Sequence, residues 1–123
     1  MRNERLQKAI IEAENQIKAK PDLAEGWTFA GMLYDRLGDT INAKYYYKKS
    51  IMIYDSRILC SDKKNNIAIN RFNRSVSLIL LGQEQAGKDE LRKLKKENSG
   101  NTQFDSFLKI SKIDYMNEIF DKK

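Results

Sequence analysis

Apolar residues recur with a helical period along almost the whole chain. Leu6, Ala9, Ile10, Ala13 and Ile17 share one face of a helix predicted from Arg2 to Lys20, following the i, i+3, i+4, i+7 rule of an amphipathic helix. Trp27, Ala30, Gly31, Tyr34 and Leu37 form a second face. Its order is large, small, small, large: Ala30 and Gly31 allow another backbone to come close, while Trp27 and Tyr34 fill the space on either side. The next helix supplies that backbone, with Ala43, Tyr47, Ser50, Ile51 and Tyr54 again alternating small and large. A fourth helix carries Ile67, Phe72, Ser75, Val76, Leu78, Ile79 and Leu81 on more than one face. A fifth, over 83–98, is thin and mostly solvated, with Gly87, Leu91 and Leu94 among charged residues. Phe104, Phe107 and Leu108 open a closing segment, and Ile113, Met116, Ile119 and Phe120 follow in a different angular phase, which predicts a bend near Ser111.

The residues between these patterns are start and stop signals. Pro21 ends the first helix, and Asp22 is predicted to cap the second, with Glu25 completing a capping box. Leu37-Gly38 ends the second helix and Asp39 caps the third. Leu81-Gly82 repeats the same stop 44 residues later. Ser99-Gly100-Asn101 breaks the chain, Thr102 with Asp105 reads as a fresh cap, and Ser111 with Asp114 caps a second short helix. Helices joined by such tight turns form antiparallel hairpins, so the fold class is all-α.

The stretch from Trp27 to Tyr47 resembles the tetratricopeptide repeat family, whose signature is W-x2-L-G-x2-Y followed by A-x3-F and a late proline, with a period of about 34 residues. The matching residues are Trp27, Ala30 in the leucine slot, Gly31, Tyr34, Gly38, Ala43 and Tyr47, while Asp55 stands where the proline would. One period back from Ala43, Tyr47, Ile51 and Asp55 lie Ala9, Ala13, Ile17 and Pro21. The resemblance implies one domain over 1–123, with hairpins stacked as a short right-handed superhelix and a C-terminal helical cap. Its parts would be a half repeat at 2–21, a complete repeat at 22–55, an insert at 56–66, a divergent repeat at 67–99 and capping helices at 102–121. In the divergent repeat Ser75 takes the glycine slot, Gly87 the alanine slot, and Arg71 replaces the tryptophan. For the half repeat two expectations stand: the array begins with a lone helix, or sequence upstream of Met1 is missing.

The resemblance also implies a function: binding of a peptide or partner helix in the concave groove, without catalysis. By that likeness the groove positions are Glu25, Thr28, Met32 and Asp35 or Arg36 in the complete repeat, and Ile69, Phe72, Val76 and Ile79 in the divergent one. The Lys and Asn that hold a terminal carboxylate in chaperone-binding members are replaced here by Thr28, Met32, Phe72 and Val76. Met32, Phe72 and Val76 either line an apolar groove, adaptable through its methionine, or seal against the closing helices.

Charge adds a second reading. The chain carries a net charge of +6 with 33% charged residues, so it could instead be a basic helical-repeat module that binds nucleic acid or another polyanion. Arg71 and Arg74 would contact such an anion, or would pair with Asp and Glu of a neighbouring repeat. Lys88 to Lys96 is interrupted by Asp89 and Glu90 and has the spacing of a solvated helix face. Of Tyr45, Tyr46 and Tyr47, only Tyr45 exceeds the repeat pattern, and it reads as surface cover.

Other chemistry is sparse. The sequence holds no histidine and one cysteine, Cys60, which removes the usual general base, the usual zinc ligand and any internal disulfide. No catalytic residue, metal or cofactor is expected. The Asn73-Arg74-Ser75 sequon falls in mid-helix, where such matches arise by chance. No membrane span is predicted, a cytoplasmic location is the default, and an exported or lipid-anchored one applies if a signal segment precedes Met1. A homodimer through an end helix is a further expectation.

Overall fold

The computed structural model describes residues 3–98 and 104–120. Among them every regular element is helical and no strand occurs. The order is α1 (Asn3–Ala19), α2 (Ala24–Leu37), α3 (Thr40–Cys60), α4 (Lys64–Leu81), α5 (Glu84–Glu97), α6 (Asp105–Lys109) and α7 (Lys112–Phe120). The 56–66 stretch is largely helical: it prolongs α3 to Cys60 and opens α4 at Lys64, leaving Ser61–Lys63 as the connection. The chain forms two compact units, 1–53 and 54–123, whose boundary falls within α3. No helix among the described residues is long and apolar enough to cross a membrane.

Helix ends follow local chemistry at four of the predicted positions. Gly38 and Gly82 have φ of 93° and 101°, a left-handed conformation that costs a side-chain-bearing residue about 1 kcal/mol or more. Each lets the chain fold back on the helix it ends: Asp39 N–H donates to the Tyr34 carbonyl at 2.9 Å, and Gln83 N–H to the Leu78 carbonyl at 2.9 Å. Asp39 then caps α3, its carboxylate accepting from Asn42 N–H at 3.1 Å and from the Asn42 amide at 2.7 Å. That backbone hydrogen bond holds the Asp39 carboxyl below its ordinary pKa. Ser111 caps α7 by accepting from Asp114 N–H at 3.2 Å. The cap expected at Thr102 lies outside the described residues.

The predicted cap at Asp22 is corrected. Pro21 and Asp22 occupy a turn in which Leu23 N–H donates to the Lys20 carbonyl at 3.2 Å. Proline's fixed φ suits the second position of such a turn. The helix start therefore moves on by one residue, and Leu23 takes the N-cap position without a side-chain cap hydrogen bond. Glu25 lies in the first turn of α2, where a negative charge suits the helix dipole.

In unit 1, α1 buries Leu6, Ile10, Ala13 and Ile17, and α2 buries Ala24, Ala30, Gly31, Met32 and Leu33. A Cβ at Gly31 would lie 2.6 Å from Tyr47 Cε1 and 3.2 Å from the Ala43 carbonyl oxygen. Only glycine lets α3 come this near. Tyr47 is fully buried, and its hydroxyl donates to Asp35 Oδ2 at 2.7 Å. This answers the polar cost of burying a phenol.

Unit 2 repeats the device with the roles exchanged. A Cβ at Gly87 on α5 would lie 2.6 Å from the Ser75 carbonyl oxygen on α4 and 2.8 Å from Ile79 Cγ1. Ser75 and Gly87 follow Gly31 and Ala43 by 44 residues each. Six consecutive residues of α4, Ser75 to Leu80, are buried, as a helix covered on more than one face requires. Ile79, Leu91, Leu94 and Phe104 form one hydrophobic cluster of this unit. The short α6 follows Phe104, and Lys95 pairs with Asp105 at its start.

These contacts set opposite signs for two similar substitutions. Gly87→Ala adds a methyl against a backbone oxygen, so overpacking of about 1–3 kcal/mol outweighs the helix-propensity gain of up to about 1 kcal/mol. At Gly26 the added Cβ meets only Ile17 Cγ1 at an ordinary 3.7 Å, and Gly26→Ala keeps that gain. Urea unfolding of the two variants should show Gly87→Ala less stable and Gly26→Ala more stable than the parent chain.

Candidate partner-binding surface

The sequence-derived groove residues separate by burial. Glu25, Thr28, Met32 and Arg36 follow one another along a single face of α2. Glu25 is exposed, Thr28 and Arg36 are half-buried, and Met32 is buried at 5%. Thr28 Oγ1 donates to the Ala24 carbonyl at 3.3 Å. On α4, Val76 and Ile79 are buried, and Ile69 is 58% exposed. Phe72 packs on Phe104 with ring centres 5.5 Å apart and edge-on to Phe107 at 4.9 Å. Of the two readings of Phe72, the structure places it in the one that seals α4 against the closing segment. Met32 and Val76 likewise offer no apolar surface to a ligand. Met32 and Val76 are buried and Phe72 is half-buried against Phe104 and Phe107, so the apolar-groove reading of these three residues finds no exposed surface to rest on.

Arg71 and Arg74 are also accounted for within unit 2. Arg71 makes a two-pronged contact with Glu97, its guanidinium nitrogens donating to Oε1 at 3.1 Å and Oε2 at 3.0 Å, and it also pairs with Glu90. Arg74 pairs with Asp55. The hydrogen bonds to Glu97 raise the Arg71 pKa, and the same contact lowers that of Glu97. Of the two readings of Arg71 and Arg74, the pairing with carboxylates is the one observed: Arg74 meets Asp55 of α3, and Arg71 meets Glu90 and Glu97 of α5. Sequence position explains the exchange. Arg71 and Glu90 follow Trp27 and Tyr46 by 44 residues, and Trp27 and Tyr46 are ring neighbours at 5.4 Å. One hairpin closes this slot with an aromatic pair, the other with an ion pair.

Trp27 and Tyr46 belong to a larger aromatic cluster in unit 1. Tyr34 and Tyr46 stack at 5.2 Å and 15°, and Tyr45 meets Trp27 and Tyr46 edge-on at 6.5 and 5.4 Å. Trp27 Nε1 donates to the Pro21 carbonyl at 2.9 Å. Glu14 on α1 accepts from the Tyr34 hydroxyl at 2.8 Å and the Tyr46 hydroxyl at 3.4 Å. Glu14 escaped sequence reasoning because its role depends on two rings from other helices. Burial, and next the Glu14 hydrogen bond, raise the Tyr34 pKa; burial leads the rise at Tyr46. Lys49 Nζ sits 5.9 Å from the Trp27 ring and 5.8 Å from that of Tyr45, within cation–π range.

Beyond this cluster lies surface that the fold does not use. The buried stripe of α3 is Ala43, Tyr47, Ser50 and Tyr54. Ile41, Tyr45, Lys48 and Met52 repeat the same spacing two residues earlier, a rotation of about 200° at roughly 100° per residue. They therefore occupy the opposite side, with Ile41 83%, Tyr45 52% and Met52 61% exposed. Sequence reasoning missed this stripe, because apolar residues on opposite sides of α3 mask the amphipathic period of either one. Cys60 is exposed too, and a shallow depression of about 540 Å³ beside it is lined by Arg57, Cys60, Ser61, Asp62, Lys63, Asn66 and Asn70. Among the described residues no group of three His, Cys, Asp or Glu could hold a metal ion.

No protein-family model matches the chain, and no curated protein or solved structure matches it either.

The tyrosine cluster predicts a pH dependence. Because the folded-state pKa of Tyr34 lies above the ordinary value of about 10, its contribution to stability is complete below that pH. It is lost above, as the unfolded chain ionises before the folded one. Urea midpoints should fall above about pH 10, and Tyr34→Phe should reduce the slope of that fall.

Proposed function

We propose that this chain is a non-catalytic protein-interaction module of tetratricopeptide-like architecture, binding a peptide or partner helix. The observation that supports the reading best is the recurrence of one hairpin design. The same two slots carry the close approach in both hairpins, Gly31 with Ala43 and Ser75 with Gly87, and the same glycine stop ends the first helix of each. In the repeat reading, 2–21 is a half repeat, 22–55 a complete one and the helices after Phe104 a cap, with stacking into a right-handed superhelix. Repeats of this kind offer rigid surface and little chemistry. Large apolar side chains left exposed are what such a surface presents to a partner.

On α2 the polar residues Glu25, Thr28 and Arg36 remain as contacts of a concave groove, with Met32 behind them as support. The polyanion reading is the weaker one, since Arg71 and Arg74 are committed to Glu90, Glu97 and Asp55. Neutralising them with a phosphate would first require breaking those pairs.

Solution competition among synthetic peptides tests the reading. Peptides that bind one site, displace one another and keep most of their affinity from low to physiological salt are the expected result. Affinity for oligonucleotides alone, falling steeply with salt, would contradict it.

A further inference from the structure

The outer side of α3 joins two properties: exposed apolar side chains along one stripe, with Lys48 set between Tyr45 and Met52, and positive charge without an acid. Ile41, Tyr45 and Met52 are each more than half exposed, at the i, i+4, i+11 spacing of a helix seam. Between Thr40 and Tyr54 the sequence has Lys44, Lys48 and Lys49 and no Asp or Glu. The acids at either end are occupied, Asp39 by Asn42 and Asp55 by Arg74. Glu14 accepts from Tyr34 and Tyr46. Lys49 lies against Trp27 and Tyr45, while Lys44 and Lys48 have no carboxylate within ion-pair distance among the described residues.

We propose that this face docks an acidic amphipathic helix of a partner protein, whose apolar seam covers Ile41, Tyr45 and Met52 and whose flanking carboxylates meet Lys44 and Lys48. The inference rests on the interaction-module reading and places the contact on the outer side of α3 rather than on the groove face of α2. Charge complementarity chooses the partner: a basic helix is repelled, and a neutral one leaves both ammonium groups uncompensated at the rim. Spacing chooses its form. A helix laid along α3 meets all three apolar residues at once, whereas an extended chain repeats every two residues and falls out of register. Nucleic acid fits less well, because two unpaired lysines release few counterions, a log–log salt slope of about −2, and Ile41 and Met52 contribute nothing against phosphate. Tyr45 is the anchor. Its ring meets those of Trp27 and Tyr46 edge-on, contacts that limit the freedom it has left to lose on binding.

Fluorescence anisotropy with the full chain and three labelled synthetic helices tests this: leucine seams flanked by glutamate, the same seams flanked by lysine, and a scrambled glutamate peptide. Only the first is expected to bind. Met52→Asp should weaken it at least tenfold, and the Lys44→Glu, Lys48→Glu double variant should lose it and gain the lysine-flanked helix. Circular dichroism should be unchanged, since all three positions are exposed. Amide shifts on α3 should accompany binding. Binding that leaves α3 unshifted and moves Glu25, Thr28 and Arg36 overturns this inference but keeps the interaction-module reading, whereas failure of every peptide tells against both. Capture of anionic phospholipid vesicles or single-stranded oligonucleotide through the same lysines, with no peptide bound, overturns it. So does a dimer in light scattering that Met52→Asp dissolves, which would put a second copy on this face.

Discussion

Everything else in the chain depends on how close two consecutive helices can come. In the first hairpin the limit is set by Gly31, whose missing Cβ makes room for the Tyr47 ring and the Ala43 carbonyl. In the second it is set by Gly87 against the Ser75 carbonyl. Close approach brings the flanking residues together: Tyr47 reaches Asp35, Trp27 meets Tyr46, and Arg71 meets Glu90. A wider spacing would leave each of these as an exposed residue with no partner.

The two hairpins solve the same geometric problem with different chemistry. Aromatic rings close the first, and their polar tips are answered by Glu14, Asp35 and the Pro21 carbonyl. An arginine with two glutamates closes the second. Aromatic closure buries area and leaves rings half exposed, so the first hairpin keeps an aromatic surface beside α3. Ionic closure neutralises the basic pair that would otherwise have marked a phosphate site. No described buried side-chain nitrogen or oxygen lacks a hydrogen-bond partner, as expected where each polar group was placed by its neighbours.

Much of this was legible in the sequence where the cause is local. Leu37-Gly38, Leu81-Gly82, Asp39 and Ser111 act within one helical turn, and the structure uses each as the spacing predicts. Asp22 was misread because two local signals competed, and the turn favoured by Pro21 takes precedence over a cap. The positions of Phe72 and Val76 on α4 were readable, but whether they face a partner or the closing segment depends on where Phe104 and Phe107 return. Such a fact lies some 30 residues away and has no periodic signature. The same holds for Arg71, whose partners Glu90 and Glu97 belong to another helix. On α3 the inward face was evident and the outward one was not, since two apolar stripes on opposite sides blur the amphipathic pattern that would reveal either alone.

The first hairpin therefore stands or falls on the contact between Gly31 and the Tyr47 ring. Nuclear magnetic resonance observes it directly: cross-relaxation between the Gly31 α-protons and the Tyr47 ring protons, with the α-protons shifted by the ring current, is the predicted result. Absence of that cross-relaxation in a folded chain, with the Tyr47 ring accessible to solvent, would contradict it.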